Sequence, residues 1–256
     1  MSASQKPDVD ANEQTHFGYQ TVSPGEKTQR VRGVFESVAS RYDVMNDLMS
    51  MGMHRLWKIF VSQLAGIKPK QTVLDLAGGT GDLAFDHCKK VGQQGQVVLC
   101  DINSKMLAKG RERMVDRGLV ENIAYVQANA EQLPFADNSF DCITMAFGLR
   151  NVTFKEKCLA SAYKKLKPAG KFIVLEFSKP DAWLKPAYDL YSFSVLPRLG
   201  RWIANDEDSY RYLAESIRMH PSQEELKNMF VEAGFDKTRY VNMSGGIVAA
   251  HIGYKY

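Results

Sequence analysis

Cysteine and long hydrophobic runs are both scarce in this sequence. Its 256 residues contain no apolar stretch that approaches about 18 uncharged residues, which a membrane-spanning helix needs. The first residues, MSASQKPDVDANEQ, are polar and lack the apolar core of a signal peptide. The four cysteines form no C-x-x-C pair; they are Cys88, Cys100, Cys142 and Cys158. We therefore expect a reduced, cytoplasmic protein without a disulfide scaffold, a membrane span or a metal site.

Charge of one sign is not concentrated anywhere along the chain. The 33 lysines and arginines are interleaved with 29 aspartates and glutamates, which leaves a formal net charge of +4. Because no long basic run marks a nucleic-acid-binding arm, we expect no nucleic-acid partner. The mild excess of positive charge permits contact with an anionic membrane surface without requiring it, so peripheral contact at the inner face of the membrane stays open.

The sequence does contain a regular alternation of strand-like and helix-like segments. Five apolar runs rich in Val, Leu and Ile predict strands at residues 72–76, 96–101, 123–127, 140–146 and 171–177. Helical segments lie between them, and this alternation is typical of a parallel sheet that is covered on both faces. Two further runs, at 236–243 and 247–254, predict a terminal hairpin. We therefore predict an α/β fold with a doubly wound, mostly parallel sheet of seven strands.

Several segments depart from this alternation. Residues 1–25 are polar and are expected to form a disordered tail, whereas residues 26–256 are expected to form a single domain. Within that domain, residues 26–70 predict N-terminal helices that cover the site as a lid. Residues 180–220 are rich in Tyr, Trp, Phe and Leu and predict a helical insertion after the fifth strand.

A glycine-rich turn follows the first predicted strand in VLDLAGGTGD, residues 73–82. Residues 79–84 satisfy the pattern G-x-G-x-x-G/A, which places a ligand between the end of a strand and the start of a helix. Gly79 and Gly81 allow close approach of the backbone to a ligand, and Thr80 offers a hydroxyl. Asp101, at the end of the next strand, can accept both hydroxyls of a ribose. The pattern predicts a ligand with an adenosine end; the alternative is a tight turn that binds nothing.

Two carboxylates near this turn distinguish between two adenosine-containing cofactors. A pyrophosphate, as in NAD, requires N–H groups and would be repelled by Asp75 and Asp82. S-adenosyl-L-methionine instead carries an ammonium and a sulfonium, which carboxylates stabilise. Asn129 and Ala130, after the third predicted strand, can bond the edge of an adenine, although a loop with a proline turn explains the same residues. We therefore predict S-adenosyl-L-methionine as the cofactor.

Longer sequence blocks extend this interpretation to a family. The blocks VLDLAGGTGD, CDIN and NAEQLPFADNSFDCI, in that order, resemble the class I S-adenosyl-L-methionine-dependent methyltransferases, which have a Rossmann-like fold. The flanking blocks VFESVASRYDVMNDLMSMGMHRLWK, FGLRNV, LEFSKP and NDEDSYRYLAESIRMHP are similar to the ubiquinone/menaquinone biosynthesis C-methyltransferases. This second resemblance runs from about residue 35 to the C-terminus.

The resemblance implies transfer of a methyl group to a ring carbon of a polyprenylated quinol. The implied acceptor is demethylmenaquinol, the 2-methoxy-6-polyprenyl-1,4-benzoquinol precursor of ubiquinone, or both. A quinone-biosynthesis complex or a homo-oligomer is a further expectation. The residues expected to bind the cofactor are Asp75, Gly79, Thr80, Gly81, Asp101, Ile102, Asn129 and Ala130.

Candidate catalytic residues follow from the chemistry of a quinol. A ring carbon becomes nucleophilic when the neighbouring hydroxyl ionises, so we predict that Arg150 stabilises the phenolate and that Asn151 orients it. Tyr42 and Asp43 lie in the predicted lid, where the Asp43 carboxylate can accept the proton; His220 is a second candidate acceptor. The alternatives are a structural salt bridge for Arg150, a helix N-cap for Asp43 and a surface or capping position for His220.

The long apolar tail of such an acceptor requires an apolar path from the lipid. Methionines at residues 45–53 and aromatic residues of the predicted insertion can supply that path and touch the bilayer interface. The alternative is that these side chains simply pack over the sheet.

Three other functions would explain part of these sequence features. An NAD(P)-dependent oxidoreductase shares the glycine pattern, and a methyltransferase for another small acceptor shares the whole cofactor site. A non-catalytic protein that binds S-adenosyl-L-methionine and orders a biosynthetic complex shares that site too. Asp75 and the block around Asn129 argue against the first, and FGLRNV and the insertion argue against the second.

Overall fold

The computed structural model describes residues 14–38, 42–199, 201 and 206–256, with the backbone alone at residues 38, 42 and 43. Its helices are α1 (Pro24–Val38), α2 (Tyr42–Ser50), α3 (His54–Ala65), α4 (Asp82–Val91), α5 (Ser104–Asp116), α6 (Lys155–Lys165), α7 (Lys185–Leu190), α8 (Leu196–Leu199), α9 (Glu207–Arg218) and α10 (Gln223–Glu232). Its strands are β1 (Thr15–Phe17), β2 (Gln20–Val22), β3 (Thr72–Leu76), β4 (Gln96–Asp101), β5 (Ile123–Gln127), β6 (Phe140–Ala146), β7 (Leu166–Phe177), β8 (Lys237–Met243) and β9 (Val248–Tyr254). A 3-10 turn, Leu149–Asn151, follows β6, and a π-helical turn, Tyr191–Val195, joins α7 to α8.

Strands β3 to β9 form one seven-stranded sheet in the order β5-β4-β3-β6-β7-β9-β8. Strands β5, β4, β3, β6 and β7 run parallel, whereas β9 pairs antiparallel with β7 and with β8. Helices connect the parallel strands because such strands need a crossover and not a tight turn. This arrangement confirms the predicted α/β fold with its mostly parallel sheet of seven strands.

Alternate side chains of the central strand β3 enter two separate cores, one on each face of the sheet. Val73 belongs to a core that includes Trp57 of α3. Its neighbour Leu74 belongs to a second core, with Leu159 of α6 and Phe230 of α10. Because both faces of the central strands are buried, their sequences are nearly continuous in apolar residues.

The direction in which strands are added reverses next to β3. The chain moves outward from β3 to β4 and β5, then returns across the sheet and moves outward again from β6 to β7. The connections therefore diverge and leave a crevice at the carboxyl ends of β3 and β6. Open α/β sheets bind their ligands in such a crevice.

Residues 14–25 adopt regular structure, so the expectation of a disordered tail does not hold for them. Strands β1 and β2 form an antiparallel hairpin, and α1 begins at Pro24. Distant contacts hold this hairpin: the Phe17 ring stacks on Tyr212 of α9, and the N–H of Tyr19 donates to Glu215 Oε2 at 3.1 Å. Local composition cannot reveal such contacts. Residues 1–13 lie outside the described residues.

The predicted lid and the predicted insertion both contain helices. Residues 26–70 include most of α1 together with α2 and α3, and the insertion includes α7, the π-helical turn, α8 and α9. Helix α3 packs against the sheet, with Trp57 and Val61 buried in the core. These helices therefore do not form a uniform cover over the site.

Among the residues that the structure describes, no helix is both long enough and apolar enough to cross a membrane. Within the same residues, no three His, Cys, Asp or Glu side chains gather into a group that could hold a metal ion. The four cysteines are buried free thiols.

Candidate active site

A cavity of about 310 Å³ opens at the carboxyl ends of β3, β4, β5 and β6. The ends of these strands and the loops that follow them form most of its walls, and helices α1 and α5 contribute the remaining side chains. The strand-end and loop residues are Leu76, Ala77, Gly79, Asp101, Ile102, Asn103, Gln127, Ala128, Asn129, Ala130, Glu131, Ala146, Phe147, Gly148, Asn151, Val152 and Thr153, with Met106 from α5 and Thr28, Val31, Arg32 and Phe35 from α1. The cavity lies in the crevice where the strand order places a ligand.

The glycine turn between β3 and α4 is constrained by packing as well as by the cavity. Ala77, Gly79 and Gly81 have positive φ angles of 50°, 56° and 81°. Gly79 lines the cavity. A side chain at Gly81 would place Cβ 2.6 Å from Met114 Cε of α5. A side chain at Gly81 is disfavoured mainly by its φ of 81°, since the flexible end of Met114 could move aside, whereas Gly79 brings bare backbone to the cavity.

Thr80 and Asp82 belong to an ion-pair network beside this turn. Arg113 of α5 donates to Thr80 Oγ1 at 2.7 Å and to Asp82 Oδ1 at 3.0 Å, and Lys58 of α3 donates to Asp82 Oδ2 at 2.7 Å. Burial raises the pKa of Asp82, but the charges of Lys58 and Arg113 outweigh burial and hold that pKa below its usual value. The negative charge of Asp82 is thus balanced within the protein, and neither Thr80 nor Asp82 lines the cavity.

Asp75 is 1% exposed within β3, and its carboxylate supports the start of helix α4. Oδ2 accepts the N–H of Ala84 at 3.0 Å, and Oδ1 accepts the hydroxyl of Thr144 at 3.2 Å. Burial raises the pKa of Asp75 to about 7. Asp75 does not line the cavity, and its contact with the cofactor stays a prediction. The repulsion of a pyrophosphate by Asp75 and Asp82 stays a prediction as well.

Asp101 lines the cavity and also ties the glycine turn to β4. Its Oδ2 accepts the N–H of Gly79 at 2.9 Å, and its Oδ1 accepts the N–H of Asn103 at 2.8 Å. Burial raises the pKa of Asp101 above its usual value, although these hydrogen bonds oppose the shift. Each oxygen keeps a lone pair that can accept a further donor, such as a ribose hydroxyl.

Three more of the predicted cofactor residues line the same cavity: Ile102, Asn129 and Ala130. Ile102 is 46% exposed and offers an apolar surface against which a flat ring can pack. The Asn129 Oδ1 atom accepts the N–H of Glu131 at 3.0 Å, which fixes the orientation of the side-chain amide. The structure thus brings Gly79, Asp101, Ile102, Asn129 and Ala130 together at the cavity. Asp75, Thr80 and Gly81 do not line it.

Arg150 forms a buried ion pair and does not line the cavity. Its Nη1 donates to Glu176 Oε1 and to the carbonyl oxygen of Phe147, both at 2.7 Å. The backbone N–H of Arg150 donates to Glu176 Oε2 at 3.2 Å, and the residue is only 5% exposed. The surroundings of Arg150 match the alternative of a structural salt bridge, and its direct contact with the phenolate stays a prediction.

The turn after β6 brings Asn151 and Phe147 to the cavity. Phe147 has a φ of 58°, in the left-handed region that non-glycine residues seldom adopt. Arg150 holds its carbonyl oxygen, and Asn151 Nδ2 lies 3.5 Å from the same oxygen. A Cβ at Gly148 would lie 2.7 Å from the Ala77 Cβ, so this turn passes close to the glycine turn. The ion pair of Arg150 therefore fixes a strained turn at the site.

Sequence reasoning missed two groups of residues at the cavity. Glu131 Oε1 accepts the N–H groups of Thr153 and Phe154 at 3.1 and 3.2 Å and so joins the loop after β5 to the loop after β6. The position of Glu131 directly after Asn129 and Ala130 in the sequence could have identified it. Helix α1 contributes Val31 and Phe35, whose helical spacing predicts a lid but not which side chains reach the ligand.

The remaining catalytic candidates do not lie in the described part of the cavity. Tyr42 and Asp43 form the start of α2, and their side chains lie outside the described residues, so their roles stay predictions. His220 is 3% exposed, does not line the cavity and has a pKa held well below its usual value by burial. Its position does not support the idea that it takes a proton from a ligand in this cavity.

Comparison with known proteins identifies the family. A model of the ubiE/COQ5 methyltransferase family matches residues 24–255. The chain belongs to this family. It is 60% identical to the ubiquinone/menaquinone biosynthesis C-methyltransferase of Klebsiella pneumoniae and 59% identical to that of Citrobacter koseri. Each match covers 96% of this chain and 99% of the relative.

Solved structures agree with the family in fold. A methyltransferase from Thermotoga maritima, described as a possible histamine N-methyltransferase, matches with a TM-score of 0.63 and 18% identity over 88% of this chain and 100% of that one. A SAM-dependent methyltransferase from Aquifex aeolicus matches with a TM-score of 0.57 and 18% identity over 92% of this chain and 100% of that one. These likenesses confirm the Rossmann-like methyltransferase fold.

Membership of the ubiE/COQ5 family also fixes the reaction class. The chain is an S-adenosyl-L-methionine-dependent C-methyltransferase of ubiquinone/menaquinone biosynthesis. The oxidoreductase that the glycine pattern left open is thereby excluded. The cavity fits the cofactor, because it offers a carboxylate for a ribose, an amide for the adenine edge and an apolar surface for the adenine ring: Asp101, Asn129 and Ile102.

Proposed function

We propose that the enzyme methylates a ring carbon of a polyprenylated quinol, namely demethylmenaquinol, 2-methoxy-6-polyprenyl-1,4-benzoquinol, or both. The composition of the cavity is the observation that supports this most directly. Polar groups such as Asp101 and Asn129 line it together with the apolar side chains of Val31, Phe35 and Phe147. A nucleoside and a flat apolar ring can therefore share one cavity.

In this proposal the loops after β3, β4 and β5 hold the cofactor. Asp101 accepts the ribose hydroxyls, while the Asn129 side chain and the Ala130 backbone bond the adenine edge. Ile102 packs against the adenine ring, and Gly79 leaves room beside its backbone for the methionine part. When bound, S-adenosyl-L-methionine supplies an electrophilic methyl group on its sulfonium.

The acceptor in this proposal is the reduced quinol, because its ionised hydroxyl raises the electron density of the neighbouring ring carbon; that carbon takes the methyl group and then loses its own proton, which restores the aromatic ring. Asn151 orients that oxygen, and the ring of Phe147 packs against the acceptor. Arg150 acts indirectly, since its hydrogen bond to the Phe147 carbonyl holds the turn that carries both residues. Orientation of this kind can lower a barrier by roughly 7–11 kcal/mol.

Asp43 remains our proposed proton acceptor, with Tyr42 beside it. Helix α1 carries Phe35 to the cavity near its C-terminal end, and the chain then enters α2, where both residues lie in the first turn. A carboxylate in an apolar cover is a suitable base for a quinol hydroxyl. Their side chains lie outside the described residues, so sequence and chain order support this assignment.

We propose that helix α1 is the lid of the site, and not the whole of residues 26–70. Among the described residues of this segment, Thr28, Val31, Arg32 and Phe35 line the cavity. Helix α3 is part of the core through Trp57 and cannot lift from the sheet without exposing it.

Peripheral contact with the inner face of the membrane is a separate proposal. Large apolar side chains are exposed on two segments; they are Met51 (72%), Leu56 (57%) and Ile59 (56%) on one, and Trp183 (75%) and Leu190 (64%) on the other. The Tyr191 hydroxyl donates to the Leu48 carbonyl and joins these segments. We call these five exposed residues the apolar surface. A complex with other quinone-biosynthesis enzymes, or a homo-oligomer, is the alternative use of this surface.

Transfer of a radiolabelled methyl group to both quinols, each supplied reduced and oxidised, tests the proposed function. We expect transfer to the reduced forms alone, because only a quinol hydroxyl can ionise. Absence of transfer to both reduced acceptors would refute the assignment of a quinol substrate. Equal transfer to the oxidised acceptors would refute the phenolate mechanism.

A further inference from the structure

Asn151 has a hydrogen-bond partner that lies outside the cavity. The hydroxyl of Tyr212, on helix α9, donates to Asn151 Oδ1 at 3.0 Å. Tyr212 is only 4% exposed and does not line the cavity. It belongs to none of the residues predicted to act at the site, yet it is bonded directly to one that does line it.

This hydrogen bond and the Phe147 carbonyl together fix the orientation of the Asn151 amide. An amide has one accepting oxygen and one donating nitrogen, and the two can exchange places by rotation. Nδ2 donates to the Phe147 carbonyl oxygen at 3.5 Å, which can only accept, so Oδ1 is the atom that accepts from Tyr212, and the second N–H of Nδ2 is left for a ligand. An N–H donor stabilises a phenolate oxygen, whereas the amide oxygen would repel it.

The N-terminal hairpin holds the ring of Tyr212 in place. Phe17 of β1 stacks on that ring with centroids 4.0 Å apart and planes 11° from parallel. The N–H of Tyr19 donates to Glu215, which lies on the same helix as Tyr212. Lys27 of α1 donates to the Val152 carbonyl at 3.1 Å, next to Asn151. The hairpin thus contacts Tyr212, and α1 contacts the residue that follows Asn151.

The surroundings of Tyr212 keep its hydroxyl protonated. Burial raises the pKa of Tyr212 well above its usual value, and the charged groups that face it are Arg150 and Glu176. These two form an ion pair with each other at 2.7 Å, so their effects on the tyrosine largely cancel. The hydroxyl remains a donor over the whole range in which the enzyme can be assayed.

We propose that Tyr212 is a positioning residue for methyl transfer. Its hydroxyl holds the Asn151 amide with Nδ2 as the donor to the acceptor's phenolate oxygen, and the N-terminal hairpin holds Tyr212. This inference rests on the role proposed above for Asn151 and adds the residue that holds its amide in place.

The Tyr212→Phe variant tests the inference, because it removes the hydroxyl and keeps the ring that stacks on Phe17. We expect kcat to fall about tenfold, which corresponds to about 1.4 kcal/mol, while S-adenosylhomocysteine affinity stays unchanged. The rising limb of the kcat pH profile should move to higher pH, since the bound phenolate loses a donor. The control is Tyr240→Phe, which removes a hydroxyl that donates to Glu224 Oε1 at 2.8 Å at an exposed position; it should leave both quantities unchanged.

A double-mutant cycle with Asn151→Ala separates a role through Asn151 from a general structural role. If Tyr212 acts through Asn151, Tyr212→Phe lowers kcat little further in the Asn151→Ala background. An equal loss in both backgrounds would overturn the inference, and so would a loss of kcat with an unshifted pH profile. Full activity of Tyr212→Phe would overturn the inference alone, whereas an inactive wild type would overturn the proposed function with it.

Discussion

Three aspartates near the cavity are in three different electrostatic states. Asp75 is buried with a pKa of about 7, Asp82 is paired with Lys58 and Arg113, and Asp101 accepts two backbone N–H groups at the cavity wall. Their positions along the chain were readable from the strand pattern. Which of them faces the ligand depends on partners from α3, α5 and β6, which sequence spacing does not reveal.

Asp101→Ala is expected to weaken S-adenosylhomocysteine binding by roughly 1.5–3 kcal/mol, the usual contribution of a hydrogen bond to a charged group. Isothermal titration calorimetry measures this loss. Asp208→Ala is the control, because the Asp208 side chain is 96% exposed and should not affect the affinity. Equal affinities of the two variants would contradict the ribose assignment.

Arg150→Ala is expected to lower the free energy of unfolding by about 3–5 kcal/mol, because it leaves a buried carboxylate without its partner. That carboxylate is Glu176, whose side chain is 1% exposed. Denaturant titration measures the loss, and the double variant Arg150→Met with Glu176→Leu should recover part of it. An Arg150→Ala variant of wild-type stability would show that the ion pair does not hold the turn.

A titratable carboxyl group, that of Asp75, bonds the first turn of helix α4, so the stability of this contact depends on pH. Asp75 Oδ2 accepts the N–H of Ala84 in the first turn of this helix. The ordinary pKa of the carboxyl is 3.8, and burial raises it to about 7 in the folded protein. Between these values the folded chain binds a proton that the unfolded chain releases.

The free energy of unfolding should therefore lose a contribution from Asp75 as the pH rises from about 4 to about 7. Urea titrations of the wild type and of Asp75→Asn across this range measure the difference in slope. The wild type should lose more stability with rising pH, since Asp75→Asn carries no titrating group there. Parallel slopes would mean that Asp75 is already ionised in the folded protein.

The first four strands of the parallel sheet were the elements that the sequence predicted best. Strands β3 to β6 have the predicted bounds: β3, β4 and β6 are largely buried and nearly continuous in apolar residues, whereas the edge strand β5 is only partly buried. Strand β7 begins at Leu166 and not at residue 171, since Leu166 pairs with Phe140 across an irregularity despite Pro168 and Gly170. The ion pair of Arg150 was not readable from sequence spacing, because its partner Glu176 comes from that neighbouring strand.

For the molecule as a whole, the apolar surface predicts weak and reversible binding to lipid. Trp side chains favour the membrane interface and Leu side chains its apolar interior, and burying a large apolar side chain is worth about 1.5–3 kcal/mol. Trp183→Ser combined with Leu190→Ser should therefore weaken binding to anionic liposomes by at least about tenfold. Co-sedimentation measures the bound fraction.

Val231→Ser is the control for this experiment. Val231 is 55% exposed on α10, a helix whose buried residues Leu226 and Phe230 belong to the other core. Both variants should methylate a detergent-solubilised quinol at the wild-type rate. Wild-type protein that ignores liposomes would refute membrane contact, and light scattering would then test for a complex through the same surface.

The N-terminal hairpin also sets an order of events during synthesis. Tyr19 and its partner Glu215 are 196 residues apart, so the contacts between the hairpin and α9 cannot form until α9 has been made. Strands β3 to β7 and the loops at their ends are complete well before that point. We expect a growing chain to form the loops at the cavity early and to fix Tyr212, and with it the Asn151 amide, only near its completion.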